Sequence, residues 1–227
     1  MQAEGEYRML TFEAIKKNEE IRAYLAKGNA NLGVMGFTEH YLAHATKAAQ
    51  TAGDLLMKLG YSAREVELAR IAGYMHDLGN CINRNDHAHT GGLMAMQILR
   101  DLGMDPVEIA TVIAAIGNHD EKTGTAVNAV SAALILADKT DVRRSRVRGR
   151  DQTKFDIHDR VNYAAVSSVL SVNKEEKEIT LDIQLDDTIC SVLDYFEIFL
   201  ERMLMCRRAA NFLGCTFALT ANGSKVL

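Results

Sequence analysis

The chain has 227 residues, 48% hydrophobic and 25% charged, which is ordinary globular composition and enough for a sizeable core. A net charge of −4 argues against broad, sequence-independent binding to nucleic acid, and no window approaches the about 18 uninterrupted apolar residues of a membrane span. The first twenty residues lack a basic start followed by an apolar run, and Cys81, Cys190, Cys206 and Cys215 form no C-x-x-C pair, so the expectation is a cytoplasmic protein without a disulfide framework or zinc ribbon.

Helical signals dominate to about residue 140. Thr11 can cap a helix from Phe12 to about Lys27, stopped by Gly28. Thr38 opens a second, in which Tyr41, Ala45, Ala48, Ala52, Leu55 and Leu59 fall at helical spacing before Gly60. Ser62 and Glu65 make a capping box for a third, running to about Asp77. A fourth covers about Thr90 to Leu102. Asp105 and Pro106, the chain's one proline, start a fifth that ends near Asn118, and a sixth begins near Asn128. After the basic run "DVRRSRVRGRD" the pattern changes. Two strands flank "NKEE"; in the second, Ile179, Leu181, Ile183 and Leu185 alternate with polar residues. Thr188 caps a long helix to about Leu213, and a strand, an Asn222–Gly223 turn and a short strand close the chain. The reading is a mainly α protein: a helical domain over residues 1–150 and a small α+β region over 151–227.

Six of the seven histidines lie between positions 40 and 119. His44 sits on the inner side of its helix. His76 and Asp77 end an apolar helix, where neighbours point about 100° apart and share one ligand only at the inner edge. His119 ends another helix, and Asp138 follows "ALILA", a run apolar enough to bury a carboxylate that then needs a cation or several donors. Together His44, His76, Asp77 and Asp138 offer two imidazoles and two carboxylates, a mixed set that suits a divalent ion such as Mn, Fe, Co or Ni better than an all-oxygen magnesium site. Such a site can supply a water nucleophile near neutral pH.

The ordered pattern H44ATKAA, H76D77, D138K, with its surroundings "TEHYLAHATKAAQTAGDLL", "LARIAGYMHDLGN" and "ALILADKTD", resembles the HD superfamily of metal-dependent phosphohydrolases over roughly residues 38 to 141. The resemblance implies an HD-domain helical bundle, with His44, His76, Asp77 and Asp138 as ligands of one divalent metal (Mn, Fe, Co, Ni, Zn or Mg). It also implies a second metal in some members. "NRNDHAHTGGLMAMQIL" and "IAAIGNHDEKTG" are similar to the segments that hold it, so His87 or His89 and His119 are the ligand candidates, Asp77 bridges, and Asp77, His87 and His119 are the catalytic candidates. The chain departs from the cyclic-dinucleotide branch: Asn118 stands where that branch pairs a histidine, Asn80 where it has lysine, and no G-Y-P signature occurs. Cyclic di-GMP is therefore not the expected substrate.

Just beyond Asp138 stand Arg143, Arg144, Arg146, Arg148 and Arg150. Arginine forks match phosphate oxygens, so Arg143, Arg144, Arg146 and Lys139 are the phosphate-binding candidates; the competing reading is a solvated or ion-paired basic loop. Asp86, Asp120 and Glu121 flank the histidines and could orient them or donate a proton to the leaving oxygen. The expected activity is hydrolysis of a phosphomonoester or phosphodiester of a small metabolite or nucleotide, without a membrane or nucleic-acid polymer as partner, in a chain able to form a homodimer. The alternatives are a non-catalytic nucleotide- or metal-binding regulatory module and an RNA-associated protein using the arginine loop.

Overall fold

The computed structural model describes residues 7–149 and 155–226. Arg150 and the boundary expected at 150 lie outside the described residues. Nine α-helices and four strands follow one another among them: α1 (Phe12–Lys17), α2 (Glu19–Val34), α3 (Leu42–Leu59), α4 (Ala63–Met75), α5 (His87–Asp101), α6 (Pro106–Gly117), α7 (Ala129–Lys139), α8 (Ile157–Ala164), β1 (Ala165–Asn173), β2 (Glu178–Leu185), α9 (Val192–Phe212), β3 (Thr216–Ala221) and β4 (Ser224–Lys225).

The caps explain most starts. Ser62 and Glu65 form the expected reciprocal capping box on α4, Asp105 caps α6 with Pro106 in its first turn, and Asn128 and Ser131 cap α7 reciprocally. Four expectations need correction. The helix expected from Phe12 to about Lys27 is two, because Asn18 leaves helical geometry and its side chain accepts from Ile21 N–H to begin α2, and Gly28 does not stop it: α2 runs through that buried glycine to Val34. α3 starts after Tyr41 rather than Thr38, α5 at His87 rather than Thr90, and α9 after Ser191, whose box with Asp194 outcompetes Thr188. The short helix α8, capped by Asp156, takes residues Ile157 to Ala164, so β1 begins at Ala165.

α7 sits at the centre. From Val130 to Ala137 every residue is buried, as expected of a helix that is apolar all round. α3, α4 and α6 pack on one part of its surface and α9 on another. α3 and α4 approach closely because Gly73 lies against the Ala49 backbone, where a Cβ would stand 2.7 Å from Ala49 Cα. The sheet has order β1-β2-β3-β4: an antiparallel hairpin, then a parallel β2–β3 pair joined through α9, then an antiparallel return. Ile179, Leu181, Ile183 and Leu185 point inward as their alternation demands. Ser168 Oγ donates to Thr140 O at 2.6 Å, tying β1 to the end of α7. The buried apolar residues of bundle and sheet form one continuous cluster. No helix among the described residues is long and apolar enough to cross a membrane.

Candidate metal centre

The site is assembled from helix ends. α4 terminates at His76, which keeps helical torsions, while Asp77 turns out at φ −94° and ψ 8°. That turn overcomes the divergence of neighbouring side chains on a helix. His44 comes from the first turn of α3, His87 opens α5, His119 follows α6, and Asp138 lies in the last turn of α7. Gly79 lets α5 come close: a Cβ there would fall on the His87 carbonyl, and one at Gly91 would stand 3.3 Å from His76 O. Glycine at these two positions is what allows His87 to reach the others.

Each of four buried imidazoles is held from behind. His44 Nδ1 donates to Asp141 Oδ2 (2.8 Å), His76 Nδ1 to Gly73 O (2.8 Å), His87 Nδ1 to Arg84 O (3.0 Å) and His119 Nδ1 to Ile116 O (2.6 Å). Carbonyls and carboxylates accept only, so these bonds assign the proton to Nδ1 and leave the Nε2 lone pair facing inward. The Nε2 atoms of His44 and His76 face each other at 3.2 Å, as do those of His87 and His119. Asp138 Oδ1 is 3.2 Å from His44 Nε2 and 3.6 Å from His76 Nε2. Asp77 Oδ2 stands 3.4 Å from His76 Nε2, and Asp77 Oδ1, 3.8 Å from His87 Nε2, accepts from Asn80 Nδ2 at 2.7 Å.

Asp77 Oδ2 is buried with no hydrogen-bond partner. A buried carboxylate oxygen without a donor, ringed by inward lone pairs, is electrostatically untenable unless a cation fills the gap. The donor atoms fall into three overlapping sets: His44, His76 and Asp77; His76, His119 and Asp138; and Asp77, His87 and His119. The residues therefore fit a divalent ion, and Asp77 is shared between the two ends of the cluster. Burial pushes His76 down, but Asp77 and Asp138 more than offset it and hold the imidazole up at about 10, so without an ion a proton answers the same demand for positive charge. Burial would raise Asp77 and Asp138; the charge on His76 in the first case and Lys139 in the second holds both well below the usual range. His119 and His87 are pushed down by burial, which favours their neutral, ligating form.

The cluster opens into a cleft of about 450 Å³, walled by the loop before α3, the Arg84 turn, α8 and α9. His44, His76, Asp77, Asp138, His87 and His119 come together. His89 does not: two residues along α5 it turns away, and its exposed ring lies 3.7 Å from Asp86. Of the four phosphate-binding candidates, Lys139 and Arg146 line the cleft. Lys139 Nζ pairs with Asp138 (2.7 Å) and Glu121 (2.9 Å); Arg146 donates to Glu39 O (3.0 Å) and Asp141 O (2.8 Å). Arg143 grips Asp141 (2.7 and 3.1 Å), and Arg144 donates to Tyr163 O (2.6 Å) and pairs with Asp186 (3.4 Å); neither lines the cleft, because nearby acceptors engage their forks.

Sequence reasoning passed over Asp141, the buried carboxylate behind His44. Lys47 (3.0 Å), Arg143 and His44 converge on it, and its pKa is depressed: burial opposes, but the His44 hydrogen bond and neighbouring charges prevail. The signal was the "DKTD" spacing, a second acid three residues after Asp138. It also passed over Arg84, which donates to His87 Nε2 at 3.2 Å, and Arg202, which pairs with Glu121 at 3.3 Å. Arg202 lies far along the chain from Asp138 and the histidines, and no local pattern marks it.

A helical bundle with a His/Asp cluster at its helix ends, compatible with a divalent metal, is the architecture of an HD-type domain. The HD-domain family model matches residues 41–197, more than half of the chain, and the chain belongs to that family. The uncharacterized protein MJ1020 of Methanocaldococcus jannaschii is 24% identical over 202 residues, covering 78% of this chain and 77% of its own length. Ribonuclease Y 2 of Levilactobacillus brevis is 29% identical over 167 residues; the match takes in 69% of this chain and only 29% of that relative. A crystal structure of a predicted HD superfamily hydrolase from an uncultured Thermotogales bacterium aligns with a TM-score of 0.43 at 23% identity, over 55% of this chain and 67% of the other.

Proposed function

We propose that the protein hydrolyses a phosphomonoester or phosphodiester of a small metabolite or nucleotide. The observation that carries this reading is the donorless Asp77 Oδ2 amid the inward Nε2 atoms, opening on a cleft whose wall includes Arg84 and Lys139. A divalent ion held by His44, His76, Asp77 and Asp138, with His87 and His119 available to a second, supplies Lewis acidity toward a phosphoryl oxygen and a water nucleophile at neutral pH. The chain's own residues do the rest. Asp141 fixes the tautomer and aim of His44, and Asn80 holds the Asp77 carboxylate through its other oxygen. Arg84, beside His87 at the cleft wall, is placed to meet phosphate oxygens bidentately, and Lys139 adds positive charge next to Asp138. Arg84 and Lys139 in the wall support a phosphorylated substrate, and membership in the HD-domain family, with the resemblance of its motifs to metal-dependent phosphohydrolases, supports turnover over mere binding.

The test is a screen of chromogenic phosphomonoesters and phosphodiesters with protein loaded with Mn, Co or Ni, beside His76→Ala and Asp77→Ala. Metal-dependent turnover abolished in both variants is the expected result. Stoichiometric metal binding with no turnover of any ester would overturn the hydrolase reading in favour of a regulatory module.

A further inference from the structure

The basic run after Asp138 does not offer its forks to the cleft, yet two of its arginines shape the cleft's edge. Arg148 Nε donates to Phe37 O at 2.7 Å, and its Nη2 donates to Asn29 O at 3.0 Å and to the Asn29 side chain. Arg146 and Glu39 exchange bonds: Glu39 N–H donates to Arg146 O at 2.7 Å, and Arg146 Nε donates to Glu39 O at 3.0 Å. The loop between α2 and α3 is thereby strapped down from two sides. Gly36, at φ +83°, makes the reversal that a side chain would resist. The strapped loop lifts apolar side chains at the mouth of a charged cleft: Met35 is 50% exposed and Phe37 41%, and both line the cleft. Arg84, whose Nη1 touches His87 Nε2, lays its guanidinium 5.6 Å from the Phe37 ring centroid. One arginine therefore links the metal cluster to the aromatic edge.

Exposed apolar side chains bordered by charge at a cleft mark a surface that is completed by a ligand. Their position fixes what part of the ligand it is. Resting on the hydrolase reading, which puts the phosphate beneath Arg84, the organic part of the substrate must leave the cluster across Phe37 and Met35. We propose that residues 35–38 are a recognition lip for a flat aromatic ring in the substrate's organic part, with Phe37 as the stacking face. Arg146 and Arg148 are the positioning residues that hold the lip in place. The arginine run thus acts on specificity through a backbone strap.

The test compares phenylphosphonate with methylphosphonate, two non-hydrolysable probes with the same anionic head, by calorimetric titration of the Mn-loaded full chain. Stacking on an aromatic residue is expected to make phenylphosphonate bind about five- to tenfold tighter. In Phe37→Ala the preference should fall to near unity; Phe37→Tyr should keep it; Arg148→Ala should lose most of it. Because the chain has no tryptophan, Phe37→Trp provides a single tryptophan, excited apart from the seven tyrosines, which phenylphosphonate and not methylphosphonate should quench. Equal binding of the two probes by the wild type, or a preference that survives Phe37→Ala, overturns the lip while leaving ester hydrolysis intact. A ring preference without turnover of any ester leaves the lip standing and removes the hydrolase reading. Failure to bind either probe overturns the lip, and the ester screen decides the hydrolase reading separately.

Discussion

Two polar groupings of this protein behave oppositely. The histidine cluster holds its imidazoles from behind through Nδ1 and turns their Nε2 atoms inward beside the donorless Asp77 Oδ2, with Arg84 reaching only that of His87. The arginine segment from 143 to 148 directs its donors to nearby protein acceptors: Asp141, Tyr163 O, Glu39 O and Phe37 O. One set is complete without a ligand and the other is not. A binding site is recognised less by how many polar groups gather than by which of them remain unanswered.

The contrast can be broken most severely at the cluster. His76→Ala removes a donor shared by two of the three ligand sets, and ester turnover in the presence of Mn or Co should fall by more than about 100-fold, beyond the 10–100-fold typical of outer partners. Asp141→Asn tests the support behind it. Lys47, Arg143 and Arg146 lose their common counter-charge and His44 loses its anchor, so metal affinity should drop about 10–100-fold. Stability should fall by about 3–5 kcal/mol, as for a broken buried ion pair, read by urea unfolding.

Two pH dependences sharpen the comparison. In chelator-treated protein His76 is held at about 10 against an ordinary 6.5. A raised value means its contribution is full below 6.5 and lost as pH rises through about 10, so unfolding free energy should decline over that window and flatten in His76→Gln. Glu121, paired with Lys139 and Arg202, has the opposite sign. Burial would raise it, but Lys139 and then Arg202 bring it from 4.5 to about 2, so its contribution is full above 4.5 and lost as pH falls through about 2. Glu121→Gln should flatten that acid limb. The smallest effect belongs to the self-satisfied segment: Arg144→Ala, which breaks a partly exposed pair with Asp186, should change KM by less than about twofold, whereas Arg84→Ala should raise it about tenfold.

The sequence revealed what depends on near neighbours and on ordered spacing. The capping box at Ser62, the start of a helix near Asn128, the β2 alternation and the order His44, His76–Asp77, Asp138 were all legible because each obeys a rule of spacing. The split at Asn18 was not, since an asparagine reads equally as a helix residue and as a cap. His87 and His89 were indistinguishable by type; the start of α5 decided between them, and helix starts are uncertain by a turn when Asp86, at φ +57°, enters without a side-chain cap. The arginines misled for a related reason. A guanidinium suits a phosphate and a row of carbonyls equally well, and only the fold supplies the carbonyls.

The claim at the centre is that the inward Nε2 atoms and Asp77 form a cation-binding cluster. Elemental analysis of the full chain after saturation with Mn and removal of free ion, wild type beside Asp77→Ala, tests it most directly. The wild type should retain about one to two ions per chain and the variant less than about a tenth of that, because Asp77 belongs to both ends of the cluster. Equal metal content in a folded Asp77→Ala protein would contradict it.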